Sequence, residues 1–128
     1  MHNSAYALTD SELDRATDAA LRCLAWSEYD FDSDRPLDSF GFSFVSDAFD
    51  RMRDEVAYFV YLNSADLNGL EYSQIGHDFI LSRNSHGAGF WDRGLGDRGD
   101  RLTVSAKSFG EITCFISDAV DCVLDTQS

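Results

Sequence analysis

The sequence predicts an α+β domain. Helices pack on one face of a small antiparallel sheet made of two hairpins, in the order α-α-short α-β-β-α-β-β. Three observations lead there. Two long segments, near residues 9–26 and 45–62, carry apolar side chains at helical spacing. Residues 76–94 place two short apolar runs around a glycine-rich middle. Residues 111–124 hold two further β-type runs with a polar link. Hairpins interleaved with helices give one sheet with helices on one side. At 128 residues the chain is expected to form a single domain over residues 1–128 with a real core.

The first helix opens on a capping box, Thr9-Asp10-Ser11-Glu12. Leu8 and Leu13 occupy the positions of a hydrophobic staple, and Leu13, Ala16, Ala20, Cys23 and Leu24 share one face to about Trp26. Ser43 or Ser46 is expected to cap the second helix. There Val45, Phe49, Met52, Val56, Phe59 and Val60 form the apolar stripe, and Asp47, Asp50, Arg51, Asp54 and Glu55 take the other faces. Ser64 is read as the cap of a short helix through Leu70, and Tyr72 to Ile75 as one more turn. The first hairpin follows, with Phe79 to Leu81 and Phe90 to Trp91 as strands, one face buried on the second helix and Trp91 in the core. Gly87 and Gly89 would shape its turn through positive φ, and Arg83 and Asn84 would tie it down by hydrogen bonds. Residues 94–101 read as a glycine-punctuated loop, with no G-K-[ST] to make it a phosphate loop. A helix from Arg101 to Phe109, stopped by Gly110, precedes the last pair of strands, Glu111 to Ile116 and Val120 to Leu124.

Ten Lys+Arg stand against 23 Asp+Glu, a formal net charge of −13, and Lys107 is the only lysine. Phosphate repulsion disfavours direct binding to nucleic acid or to an anionic membrane and favours basic partners. No run approaches the roughly 20 apolar residues of a membrane span. Cys23, Cys114 and Cys122 are an odd set without a C-x-x-C, and no signal peptide is read at the start. Free, mostly buried thiols in a reducing cytoplasm are the expectation.

The densest acidic stretch holds Glu28, Asp30, Asp32, Asp34 and Asp38, with only Arg35 among them. Asp30, Asp32 and Asp34 imitate the start of a calcium loop, but Arg35 stands where glycine is required and Gly41 where glutamate is required. On an extended strand the same three would form a carboxylate ladder with steps of roughly 6.5–7 Å. A solvated loop is the plain alternative. Asp47, Asp50, Asp54 and Glu55 would extend the acidic surface.

Within residues 76–94, His77, Asp78, His86, Asp92 and Arg93 are the candidates for chemistry. Across a hairpin base, His77 and Asp92 would face each other and offer a transition-metal site or acid–base groups. The spacing fits no known metal motif, and no G-x-S-x-G or H-E-x-x-H pattern is present. No metal, cofactor or catalytic residue is therefore assigned.

Gly76-His77-Asp78-Phe79, Leu81, Arg83-Asn84 and the run from His86 through Gly94 resemble a signature of small proteins encoded by bacterial phages, prophages and plasmids, G-H-D-F-W-L-T-R-N-x-H-G-A-G-F-W-D-R. Ile80 replaces the usual Trp and Ser82 the usual Thr, and the similarity spans about the C-terminal two-fifths. The resemblance implies a mobile-element accessory protein and carries no established activity. Combined with the charge, it leads to the expectation of a non-enzymatic inhibitor of a host defence system, of anti-CRISPR or anti-restriction type. Such a protein would occupy a basic nucleic-acid-binding surface by phosphate mimicry, through the nine carboxylates named above. Alternatives are an accessory protein of phage or plasmid DNA metabolism that binds a basic host protein, and a small metal-dependent hydrolase.

Overall fold

The structure, a computed structural model, describes residues 8–27, 43–85, 87–118 and 123–128, and the backbone alone of 29–30 and 35–36. The protein is α+β, with helices and a small sheet. The elements are α1 (Asp10–Ser27), β1 (Tyr29–Asp30), β2 (Arg35–Pro36), β3 (Ser43–Phe44), α2 (Ser46–Leu62), α3 (Ser64–Leu67), α4 (Tyr72–Asn84), a 3-10 turn (Phe90–Asp92), α5 (Asp97–Lys107), β4 (Thr113–Asp118) and β5 (Val123–Gln127).

The capping box forms: the Thr9 N–H donates to Glu12 Oε1 at 2.9 Å and the Glu12 N–H to Thr9 Oγ1 at 3.2 Å. Leu8 and Leu13 pack on the core beside it, as a staple does. In α2 the capping position falls to Val45, not a serine, and no side chain caps it. The Val45 N–H instead donates to Leu124 O, 2.9 Å, so the start of α2 is fixed by the sheet. Asn63, not Ser64, precedes α3, and its amide donates to Phe59 O and Ser105 Oγ.

The first expected hairpin does not exist. Residues 72–84 form α4, and Phe90 and Trp91 lie in the 3-10 turn. The physical reason is burial. Ile75, Gly76, Asp78, Phe79, Ile80, Leu81, Ser82 and Arg83 are all buried, around the whole circumference of the helix. A helix enclosed on every side loses the apolar–polar alternation that reveals helical period. Glu71 starts it, its carboxylate accepting from the Gln74 N–H at 3.2 Å. Ser85 ends it in the left-handed conformation, φ 56°. Gly87 and Gly89 do take positive φ, in the link to the 3-10 turn. Trp91 is 51% exposed and outside the core.

The sheet is correspondingly different from the expected pair of hairpins. Its order is β3-β5-β4, with β4 antiparallel to β5 and β3 parallel to β5. The two C-terminal strands do pair antiparallel, with a bulge between Ile116 and Asp118; β5 is described as Val123–Gln127, and Val120, Asp121 and Cys122 of the expected strand lie outside the described residues. β1 and β2 form a separate antiparallel pair. α5 begins at Asp97, inside the expected loop, and Gly110 follows it with φ 84°. Gly99 sits in its first turn because a Cβ there would lie 2.6 Å from Phe90 O.

The core is aromatic at its centre. Phe59 of α2 meets Phe79 of α4 at 4.7 Å between ring centroids, Phe90 at 5.6 Å and Phe109 at 6.1 Å. α4 makes its largest contact with α1. Gly76 permits it, since a Cβ at this position would collide with the Ala16 carbonyl.

Candidate protein-binding surface

The apolar stripe of α2 fixes which residues face water. With Ala48, Met52, Val56, Phe59 and Val60 buried, the opposite side of the helix carries Asp47, Asp50, Asp54, Tyr58 and Tyr61. Their spacing of 3, 4, 4 and 3 keeps all five on one face. Tyr58 is 57% and Tyr61 77% exposed. At 1.5 Å per residue, the three carboxylates are stepped by about 4.5 and 6 Å along the axis. That is sparser than the ~3.4 Å per charge of one DNA strand, but of the same order.

The electrostatics of this face follow from where the cations go. Arg51 binds Asp125 at 2.7 Å, Arg53 binds Asp14 at 2.7 Å and Asp10 at 3.2 Å, and Arg101 binds Asp66 at 2.7 Å. Arg98 donates to the carbonyls of Asp66 and Asn68, and Arg15 lies over the Tyr72 ring. Among the described residues, none forms an ion pair with Asp47, Asp50 or Asp54. Glu55, expected on the same surface, is instead held by the buried Arg83 at 2.8 Å.

The tyrosines extend the acidic row into an aromatic one. Their rings stack with 16° between planes and centroids 6.4 Å apart. Tyr58 is held from below by Phe109, edge-on at 6.1 Å, and Phe109 is itself wedged against Phe59 and Phe79. The signal for this pair was present in the sequence, four and seven residues beyond Asp54, but exposed aromatics read as core when burial is unknown.

Of the other acidic candidates, Asp30 lies opposite Arg35 in the β1–β2 pair. Glu28, Asp32, Asp34 and Asp38 lie outside the described residues, so the carboxylate ladder falls mostly outside them too.

The candidates for chemistry have structural partners. Asp78, fully buried, accepts from Arg93 Nη2 at 2.7 Å and Nε at 3.1 Å, and Gln74 approaches at 3.5 Å. This bidentate pair holds the segment after the 3-10 turn against α4. Asp92 accepts from the Gly89 N–H at 3.0 Å. His77 lies 6.4 Å from the Trp26 ring in a cleft of about 440 Å³ that Leu81, Ala88 and Arg93 also line. It does not face Asp92 across a hairpin, because no hairpin is there. His86 lies outside the described residues. Among the described residues no three His, Cys, Asp or Glu side chains converge as a metal set.

Arg83 and Asn84 do not tie down the expected turn; they join the end of α4 to the segment after α5. Arg83 Nε donates to Gly110 O at 2.8 Å and Nη2 to Phe109 O at 3.2 Å, and its guanidinium lies 5.2 Å over the Phe79 ring. Asn84 exchanges two hydrogen bonds with the Ile112 backbone. Cys23 is buried, and desolvation first, then the Asp78 charge, pushes its thiol up to about 12. A thiol so placed is protonated and unreactive at neutral pH. No described helix is long and apolar enough to cross a membrane.

No protein-family model matches this chain, and no curated protein or solved structure matches it either.

Proposed function

We propose that the protein is a non-enzymatic inhibitor that occupies the nucleic-acid groove of a basic protein, with carboxylates in place of phosphates. The observation that carries this reading is the solvent face of α2. Asp47, Asp50 and Asp54 stand there in one row, directly opposite the buried stripe, and none of them forms an ion pair with a described cation. The net charge of −13 gives the row its long-range field. The resemblance to mobile-element proteins directs the reading to a host defence effector as the target, an RNA-guided or restriction nuclease in its DNA-binding state. Glu55 drops out of the contact set because Arg83 already holds it.

Association of this kind is fast and salt-sensitive. The test is a low-salt pull-down from host extract, then competition by duplex DNA on the captured protein. DNA and this protein should exclude one another. Combined reversal of Asp47, Asp50 and Asp54 to Lys should abolish binding while the circular dichroism spectrum stays that of wild type. Simultaneous binding of DNA and this protein by the captured partner would overturn phosphate mimicry. Undiminished binding by the triple variant would remove α2 from the interface.

A further inference from the structure

We infer that the stacked Tyr58–Tyr61 pair is an arginine-selective docking platform, which seats a partner's guanidinium groups beside the carboxylate row. This deepens the reading above and rests on its basic partner. Two large aromatic rings on a helix face are ordinarily hidden, yet these are 57% and 77% exposed. They are also held in place. The rings stack on each other, and Tyr58 rests on Phe109, whose own carbonyl accepts from the buried Arg83. A platform fixed before binding loses little side-chain entropy on contact.

The chemistry selects the occupant. A tyrosine face attracts a cation through its quadrupole, and a planar guanidinium both stacks on the ring and sheds water more readily than an ammonium. Asp54 stands one helical turn before Tyr58, so a guanidinium on the ring has a carboxylate within reach of its N–H groups. A partner anion is excluded by the same row, since no described cation pairs with Asp47, Asp50 or Asp54. A second copy of this chain would bring an identical acidic row to the contact and a charge of −13 on each side.

The test uses two labelled, end-capped peptides, Arg-Gly-Ser-Arg-Gly-Ser-Arg and its lysine counterpart, titrated with the full chain at low salt and followed by anisotropy. The arginine peptide should bind roughly fivefold tighter, the scale of one or two exposed cation–π contacts. Tyr58→Leu with Tyr61→Leu keeps apolar bulk but removes both π faces. It should bring the two affinities together, weakening the arginine peptide more than the lysine peptide. Tyr61→Leu alone, at the more exposed ring, should lose part of the preference even if the double variant is destabilised. Equal affinity of the wild-type chain for the two peptides, a preference undiminished by Tyr61→Leu, or no binding of either peptide would overturn the platform. So would concentration-dependent dimerisation abolished by Tyr61→Leu, which would assign the face to a second copy. Failure is separable from that of phosphate mimicry. Loss of the arginine preference with DNA competition intact sinks only the platform. A Tyr-dependent preference in a partner that binds DNA simultaneously sinks only the mimicry.

Discussion

Gly76→Ala tests the contact on which the helical core is assembled. In an exposed helix interior this change stabilises, by about 0.8–1 kcal/mol of propensity. Here the added methyl would overlap Ala16 O, lie 2.8 Å from Ala16 C and 3.1 Å from Ala20 N. All three are backbone atoms of α1, so no rotamer change makes room. An ordinary Cβ contact begins at 3.4 Å, so the Ala16 C contact alone demands about 0.6 Å and the nearer Ala16 O demands more, a separation at or beyond the ~0.5–1 Å gap that forfeits a quarter to a half of each dispersion contact. That loss falls on the α1–α4 interface, where Ala16, Ala20, Leu24, Ile75 and Phe79 are fully buried. Overpacking of this kind costs about 3 kcal/mol at the upper end of its usual range. Less the propensity gain, the net loss is about 2 kcal/mol, or roughly 6–10 °C in Tm for a chain this size. Urea unfolding followed by far-ultraviolet circular dichroism measures it. Ala16→Gly should not rescue the variant, because the obstructing carbonyl remains. A midpoint at or above that of wild type would mean that α4 does not approach α1 at Gly76.

Arg83→Met should cost about 3 kcal/mol in the same assay, because Glu55 and the carbonyls of Gly110 and Phe109 lose their donor, and Arg83→Lys should restore little since one ammonium cannot serve three acceptors in that fork. Trp91→Ala should move the midpoint by less than about 1 kcal/mol, as expected of a side chain that is 51% exposed; a loss of about 3 kcal/mol or more would return Trp91 to the core. The Tyr72 hydroxyl first, then the Thr9 N–H, hold the Glu12 carboxyl below its ordinary 4.5. Because the folded state lowers that pKa, its stabilisation is complete above pH 4.5 and is lost as pH falls through the depressed value. Tyr72→Phe should therefore show a smaller fall in urea midpoint below pH 5 than wild type, and an identical fall would remove Tyr72 from the acid response. Asp50→Lys should raise stability by about 0.4–1 kcal/mol, since it turns two like-charge pairs, with Asp47 and Asp54, into opposite ones and one opposite pair, with Arg53, into a like one, and an unchanged or lower midpoint would mean that the acidic row carries no strain.

What the sequence disclosed depended on how one-sided each element is. α1 and α2 have a wet face and a dry face, so their period and the capping box could be read directly. The antiparallel pairing of the two C-terminal strands was legible for the same reason. α4 has no wet face, and its run Phe79-Ile80-Leu81 looks the same as a strand until its neighbours are known. The glycines misled in the same direction. Gly76 read as the opening of a strand and Gly99 as part of a loop, but both are helical positions where another backbone approaches. Pairings such as Asp78 with Arg93, or Arg83 with Phe109 and Gly110, join segments whose proximity only the fold creates. The acidic half of the candidate surface followed from helical spacing alone. Its aromatic half needed exposure, which spacing does not give.

The acidic row has a cost that its position makes avoidable. Asp47 and Asp50 are three apart and Asp50 and Asp54 four apart, spacings at which like charges on a helix repel by a few tenths of a kcal/mol each. Elsewhere the chain matches charges closely. Arg53 bridges α1 and α2, Arg101 joins α5 to α3, and Arg93 neutralises the buried Asp78. Asp47 draws some return from the first turn of α2, where the helix dipole favours an anion. Asp50 and Asp54 lie beyond that turn and have no such compensation. Solubility does not require them in a row, because a net charge of −13 is already far from zero and would stay so with either replaced. A neutral polar residue at position 50 would remove both repulsions, and one at position 54 the second of them, without breaking an ion pair of the fold. On the function proposed above, this repulsion on the face opposite the core, beside two exposed aromatics, belongs to a surface held ready for an external cation. The stability gained by Asp50→Lys and the binding lost by the triple reversal are thus two measurements of one property.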